Sequence, residues 1–550
     1  MLTDHEKNQL HQIKAARKNV LCDALAALQL CVKFLFWRHR SAAFWVLGLF
    51  AGVESIAQSV SVPLDHPVYE FLDRLEAYDA FSPFALRVQP VDRATVLQML
   101  QRADSLLTAD LTTVEKSSLQ RYFSEFRDPA IGEPARPDAE PHLLRLEENR
   151  SQILVDALAT QEFIFQRGGR LGEKNISRTL GGVRLRGNLS GKLGFFVEAT
   201  NTLERGEDDV QEDFRPDISA PVTVSGSSAF KDQALAVFFF RTSWAQFEIG
   251  RNQLAWGSSP MAQLGLRGRQ APVDLLRLQI VWRRFQFTYV HANLRAASRR
   301  YFAGHRLDVR LARQSRVGIY EGVIYGGRDI EWQYLNPLMP YHIAEHQLGD
   351  RDNNVLGIDF SFGARHAKFY GEIFVDDLSL EFPIGTYWGN KLAYLFGAFL
   401  ARPLGWRNAD LRIEYARVDP FVYTHDDSVN VYAHSGESLG SPLGPNADRI
   451  QATIVYQPHR DVRFTANYSH DRKGKGDIFS PHRDTDGNNK EFLKGTIETA
   501  NEWRTSMSVQ IRRDVYIDLD VGWRRARNVG QMAGRHENLR QALFALRANY

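Results

Sequence analysis

The sequence predicts a mainly β protein: a transmembrane barrel of about eighteen antiparallel strands, preceded by a small helical bundle. Three observations carry this. From Gln161 onward, apolar and polar residues alternate with a period of two; the connections between alternating stretches are short and long in turn; and the chain ends on an aromatic residue that closes one such stretch.

The closing strand shows the pattern well. Counting back from Tyr550 in twos puts Ala548, Leu546, Phe544 and Ala542 on one face, with Asn549, Arg547, Ala545 and Leu543 on the other. Together, Phe544, Leu546 and Tyr550 resemble the C-terminal signal that the barrel-assembly machinery of bacterial outer membranes recognises. An ordinary amphipathic edge strand is the competing reading, and recurrence upstream favours the barrel. Leu307, Val309 and Leu311 oppose Arg306, Asp308 and Arg310; Val515, Ile517, Leu519 and Val521 oppose Tyr516, Asp518 and Asp520; Val462, Phe464, Ala466 and Tyr468 oppose Arg463, Thr465, Asn467 and Ser469. An apolar face suits lipid and a charged face suits a watery interior. No apolar run here is long enough for a spanning helix, so a membrane span has to be a closed barrel, in which every backbone group is paired.

Candidate strands stand near residues 160, 181, 192, 233, 243, 273, 285, 303, 316, 353, 366, 390, 409, 448, 461, 500, 513 and 539. Short turns at Asn188–Gly191, Trp282–Arg284, Ala312–Ser315, Gly363–Arg365, Pro458–Asp461 and Arg512–Asp514 alternate with long segments. The long ones are Asn201–Asp232, Asn252–Ala271, Tyr325–Asp352, Pro420–Asp448 and His470–Ala500. That asymmetry of periplasmic turns and extracellular loops, with an even strand count, returns both ends of the barrel to the periplasm. A soluble sandwich or propeller predicts no such alternation.

Ahead of the barrel the organisation differs. Arg38, His39 and Arg40 precede the apolar run Ser41–Val53, and Ser55, Ile56 and Ala57 give a small-x-small site before Gln58, so residues 1–57 read as an N-terminal extension with a signal peptide. The preface Met1–Trp37 is long for a signal, and fits either a misplaced start or an extended signal. Cleavage removes both cysteines, Cys22 and Cys31, leaving no thiol for a disulfide, zinc site or nucleophile. Residues 58–132 read as a helical bundle. Val68, Phe71, Leu72 and Leu75 share a helix face behind Pro67, Arg93–Ala103 carries Val96, Leu97 and Leu100, and Thr112 with Glu115 forms a capping box before Leu119, Tyr122, Phe123 and Phe126. Residues 133–159 read as a linker, Pro-rich at Glu133–Pro141, and 160–550 as the barrel. A net charge of +3 argues against nucleic acid as a partner.

The stretch Pro63, Leu64, Asp65, His66, Pro67, Val68, Tyr69 and Phe71 resembles the start of the mature part of Wzi-type capsule-assembly proteins of the outer membrane. Further matches are Ile249, Gly250 and Arg251 with Trp256 and Gly257, His305 with Arg306 and Leu307, and Tyr334 to Pro337. Asn353 with Asn354 and Tyr370 to Glu372 with Asp376 and Asp377 complete the set. The resemblance implies an eighteen-stranded outer-membrane barrel with a periplasmic helical bundle; a monomer in outer-membrane lipid is expected. It also implies a lectin that retains exported capsular polysaccharide, and it does not imply catalysis; no cofactor or metal is expected.

The candidate glycan-binding residues are Arg251, Trp256, Trp332, Tyr334, Asp376 and Asp377. Aromatic rings stack on sugar faces, and guanidinium forks match carboxylates. The plainer reading for Trp256, Trp332, Tyr334 and Trp388 is an interfacial girdle or loop packing. Inward positions Arg184, Arg186, Arg306, Asp308, Arg310, Glu372, Asp518 and Asp520 suggest a charge network across the lumen. Glu321 breaks parity, sharing a face with Val317 and Ile319; either the strand has left the membrane there or a bulge turns the side chain inward. Two other functions compete: a diffusion pore, which has the same strand pattern, and a hydrolase. For the latter, Gly436–Gly440 spells Gly-x-Ser-x-Gly, but in a polar loop instead of a strand-to-helix turn. His342 and His346 are spaced for a metal but have little helix to hold them, and His305 with Asp376 completes the acid–base residues available.

Overall fold

The computed structural model describes residues 60–80, 86–107, 109–127, 140–169, 172–206, 223–225, 227–294 and 299–549. The signal-peptide segment, both cysteines and Tyr550 lie outside the described residues. Three helices lead: α1 (Val68–Ala77), α2 (Arg93–Leu107) and α3 (Thr113–Phe126). The capping box at α3 forms as expected: the Thr112 hydroxyl accepts from the Glu115 amide (3.2 Å), and the Glu115 carboxylate accepts from the Thr112 amide (2.7 Å).

Eighteen antiparallel strands then close a barrel. They are β1 (Ser151–Gly168), β2 (Lys174–Leu189), β3 (Leu193–Arg205), β4 (Ser228–Arg241), β5 (Ala245–Asn252), β6 (Val273–Trp282), β7 (Phe285–Leu294), β8 (Arg300–Ala312) and β9 (Ser315–Gly326). The second half is β10 (Asn353–Ala364), β11 (Ala367–Asp377), β12 (Lys391–Ala401), β13 (Ala409–Val418), β14 (Ala447–His459), β15 (Val462–Lys473), β16 (Glu498–Arg512), β17 (Val515–Arg527) and β18 (His536–Asn549). A strand stands at each of the eighteen positions expected. The seam joins β18 to β1, with Phe544 opposite Phe163 and Asn549 opposite Leu158, and no sheet edge remains to be satisfied.

The structure places the start of the sheet earlier than residue 160. Leu144–Glu148 pairs back on β1, which begins at Ser151 inside the stretch expected to be a linker. Gln152–Asp156 is buried on both faces, so it carries no period-two signal. Elsewhere the alternation holds. Leu307, Leu311, Leu519, Val521, Phe544 and Leu546 are exposed on the outer wall, while Arg306 and Asp308 between them are fully buried.

The helices sit at the short-turn end, which is the periplasmic end in a barrel of this topology. Arg402 of the turn before β13 reaches the Glu115 carboxylate (2.8 Å) and the Asp110 carbonyl (2.8 Å), the Thr112 hydroxyl meets Asn408 (2.6 Å), and the His366 amide donates to the Ala77 carbonyl (3.1 Å). Burial alone would raise the Glu115 carboxyl, but Arg74 beside it and the Thr112 amide overcome this and hold it at about 2.

From the bundle the chain enters the lumen. Val88 and Gln89 pair with Trp256 and Ala255 of the β5–β6 loop, which folds inward from the opposite end. The β13–β14 loop joins them: the Tyr423 hydroxyl donates to the Leu264 carbonyl (2.8 Å), and the Tyr432 hydroxyl to the Gly265 carbonyl (3.0 Å). One apolar core therefore runs from Val68, Leu72 and Leu100 through Trp256, Leu264 and Tyr320 to Tyr432 and Leu443.

Candidate functional site

The long loops gather at the end opposite the bundle. Three of them, 378–390 (β11–β12), 419–446 (β13–β14) and 474–497 (β15–β16), are tied together by backbone pairing. The Trp388 amide donates to the Asn488 carbonyl (3.2 Å), the Lys490 amide to the Thr386 carbonyl (2.6 Å), and Tyr387 bridges to Asn489. The Lys490 ammonium holds the Asp419 carboxylate at 2.8 Å. Their rings then meet. Trp388 stacks face to face on His482 (3.6 Å, 5°), Phe421 stands edge-on to both, and Phe382 stacks on Tyr387 (4.1 Å, 21°) beside them. Phe382 is exposed; Tyr387, Trp388 and His482 are half-buried. This is a rigid aromatic platform on a solvent-facing rim, with apolar faces and polar edges.

Of the six candidate glycan contacts, three are closed off. Trp256 is 1% exposed, packed against Phe302 and Tyr320 in the lumen, and Tyr334 is fully buried with its hydroxyl on Asp352 (2.8 Å). Neither offers a ring face to a sugar: contrary to the expectation both are core residues, because loops read as solvent-facing fold back on the barrel. Asp376 is also buried, accepting from the Tyr423 amide (2.7 Å), so adjacent Asp376 and Asp377 point apart. Asp377 lies at the rim, paired with Lys391 (2.9 Å). Arg251 is on the outer wall, paired with Asp274 (3.2 Å). Trp332 is 82% exposed.

Trp332 belongs to a flap, residues 327–352, that lies on the outside of the wall. Its helices α4 (Trp332–Leu335) and α5 (Tyr341–Gln347) bury Tyr334, Tyr341 and Ala344 against Ala303, Val323 and Tyr325, which face outward from β8 and β9. The flap explains Glu321. Its carboxylate accepts from the Tyr341 amide (2.9 Å), the His342 amide (2.7 Å) and Asn354 (3.2 Å), and lies 3.1 Å from His305. β9 keeps its register with β10 throughout, so no bulge is involved; the outward carboxylate caps α5 above the lipid. Glu345 on the inner side of α5 is pushed up to about 8 by burial and by the Asp350, Asp352 and Asp377 carboxylates around it.

The inward charges do not form one network. Arg306 and Arg316 interlock with Asp308 and Asp359 (Arg306–Asp308 2.7 Å, Arg306–Asp359 2.6 Å), all four fully buried. Glu372 serves the inserted loop instead, accepting from the Leu264 and Gly265 amides (3.2 Å each) and the Tyr320 hydroxyl (2.6 Å). Elsewhere the pairs are local: Arg184–Glu198, Arg186–Glu140, Asp518–Arg547 and Asp520–Arg504. Arg310 sits at the short-turn end, its amide on the Arg284 carbonyl (2.9 Å). Ser438 of the Gly-x-Ser-x-Gly stretch lies in a two-residue hairpin with its hydroxyl accepting from the Gly440 amide (3.1 Å). The rings of His342 and His346 are 4.3 Å apart on exposed α5. Among the described residues, no group of three or more His, Cys, Asp or Glu could hold a metal ion.

An eighteen-stranded closed barrel, apolar outside, with loops of its own packed into part of its lumen and a helical bundle at the short-turn end, defines a class: transmembrane barrels of the bacterial outer membrane. The chain belongs to the capsule assembly protein Wzi family, whose model matches residues 240–540. Among solved structures it is similar to Wzi of Escherichia coli, described as a carbohydrate-binding β-barrel involved in group 1 capsule assembly. The TM-score is 0.60 at 13% identity, over 90% of this chain and 100% of that one. Likenesses to OprD of Pseudomonas aeruginosa (TM-score 0.42, 13% identity, 72% of this chain and 94% of that one) and OccAB1 of Acinetobacter baumannii (0.42, 9%, 72% and 96%) are weaker. No curated protein matches the chain.

Proposed function

We propose that the protein is a lectin that holds exported capsular polysaccharide at the cell surface through its loop end, without catalysis. The observation that carries this is the platform of Phe382, Tyr387, Trp388, Phe421 and His482, where three loops present ring faces beside Lys490, Asp419 and Lys391. Family membership and the carbohydrate binding ascribed to the Escherichia coli protein support the substrate class. Single contacts of this kind are weak, but a repeating polymer engages many copies of the barrel and gains by effective concentration. The core running through the lumen speaks for retention over passage of solutes.

The test is a strain lacking the gene, complemented with Trp388→Ala plus His482→Ala or with the parent. Polysaccharide synthesis is expected to continue in all strains, with more polymer shed into the medium by the deletion strain and the double variant, at unchanged barrel abundance. Normal surface polysaccharide in the deletion strain, together with large steady currents through the purified protein in planar bilayers, replaces this reading with a diffusion pore.

A further inference from the structure

The outward face around the seam changes chemistry with depth. Along β17 it runs Val515, Ile517, Leu519, Val521, then Trp523, then Arg525 and Arg527. β18 runs Leu546, Phe544, Ala542, then Arg540, and β1 runs Phe163, Phe165, then Arg167. The register puts Trp523 opposite Arg540 and Arg540 opposite Arg167, so the three strands pass from apolar to cationic at one level. That level is marked by a row of rings, with Tyr468 5.2 Å from Trp503 and Trp503 5.4 Å from Trp523, as expected where hydrocarbon gives way to headgroups. It lies toward the long-loop end, in the outer leaflet.

These guanidiniums differ from the inward ones beside them. On the inward faces of neighbouring strands, Arg524 has Glu498 and Glu537, Arg504 has Asp520, and Arg547 has Asp518. Outward, Arg525, Arg527 and Arg540 are exposed and make no ion pair among the described residues; Arg167 pairs loosely with the exposed Glu173 (3.6 Å) and donates to the Gln166 carbonyl (3.0 Å) and to Asn175 (3.3 Å). Like charges directly opposite across strands are destabilising, yet Arg540 faces Arg167 at the seam itself. The ledge is also held in place: the Arg525 guanidinium lies 3.9 Å over the Trp523 ring, and the Trp523 indole N–H donates to Asn538 (2.6 Å).

We propose that this ledge binds the phosphate of a phosphorylated glycolipid in the outer leaflet. Its acyl chains lie on Val521, Phe544, Phe163 and Phe165, its sugar meets the Trp503–Trp523 row, and Arg525 and Arg540 fork the phosphate, with Arg527 and Arg167 flanking. Guanidinium matches phosphate in two parallel hydrogen bonds, which an ammonium cannot do. The phosphate supplies an anion to Arg540, which has none among the described residues, beside Arg167 with its loose Glu173 partner. This site is independent of the glycan platform, which belongs to other loops.

The experiment uses purified, delipidated protein in detergent and native mass spectrometry with three probes: diphosphorylated lipid A, its dephosphorylated form, and inorganic phosphate. The parent is expected to retain the phosphorylated lipid at least about tenfold more tightly than the dephosphorylated one. Arg525→Gln with Arg540→Gln is expected to erase that difference, and the double lysine variant to recover part of it. Millimolar inorganic phosphate is expected not to displace the lipid. Equal binding of the two lipids by the parent, or an undiminished difference in the glutamine variant, overturns the proposal; displacement by inorganic phosphate overturns the lipid as its ligand. If the double variant loses the gel shift of a folded barrel, Arg525→Gln alone, which leaves the seam pair untouched, carries the same test.

Discussion

The two halves of the lumen wall obey the same period of two and yet hold their charges in opposite ways. Along β8–β10, Arg306, Arg316, Asp308 and Asp359 have no exposure at all, sealed beneath Tyr320, Trp256 and the inserted loops. Along β14–β18 the pairs stay wet: Arg504 and Asp520 are 30% and 17% exposed at 3.1 Å, and Arg547 and Asp518 are 32% and 25% exposed at 3.2 Å. An inward polar residue is thus no guide to water. What decides is whether a loop from elsewhere in the chain has packed over it. In the dry half each charge is compensated by two opposite charges, which is what burial of ions demands; in the wet half solvent shares the task.

The sharpest way to break this contrast is to remove one cation from each half. Arg306→Ala leaves Asp308 and Asp359 under-compensated without water and is expected to cost about 3–5 kcal/mol, whereas Arg504→Ala is expected to cost less than about 1 kcal/mol. The midpoint of urea unfolding, followed by the gel shift of the folded barrel, reads both. Similar losses would mean that the halves are equally hydrated.

A gentler pair uses glycines. A Cβ on Gly318 would fall 2.2 Å from an Arg306 guanidinium nitrogen, where nothing can give way without breaking the quartet, while on Gly522 the nearest atom, on Arg504, is 3.6 Å away in a half that can adjust. Gly318→Ala is therefore expected to destabilise by about 1–3 kcal/mol, and Gly522→Ala to be neutral or to stabilise by up to about 1 kcal/mol.

The smallest effect lies outside the wall, where Glu345 under the flap tests burial without a counter-ion. Its carboxyl is raised from an ordinary 4.5 to about 8, so the folded flap binds the proton more tightly than the unfolded segment does. The sign follows: this stabilisation is complete below about 4.5 and is lost as pH rises through about 8. Amide protection over residues 332–348 should accordingly fall between about pH 4.5 and about pH 8 and then level off, relative to the rest of the barrel, and Glu345→Gln should remove the fall. A flap that loosens equally in both proteins would assign the pH dependence to another group.

Legibility in the sequence followed locality. The strands, their turns and the Thr112–Glu115 box were readable because each rests on spacing within a few residues. The misfit of Glu321 was readable too, but its resolution needed α5, which arrives from the next loop. The platform had no such signal. Phe382, Trp388, Phe421 and His482 come from three loops, and no periodicity relates them. Trp256 and Tyr334 misled for the complementary reason: residues in long connections look solvent-facing until the connection folds back.

The seam between β18 and β1 sets an order of events. It joins the first barrel strand to the last, so the cylinder can close only after the whole chain has been delivered. The pairing of Val88 with Trp256 inside the wall is a second distant contact, made between a segment that enters from the bundle end and a loop that enters from the opposite end. Contacts so distant in sequence form slowly, since the intervening chain must be gathered before they yield any stabilisation. Closing the wall and filling the lumen are therefore two separate events, each waiting on chain brought from far along the sequence.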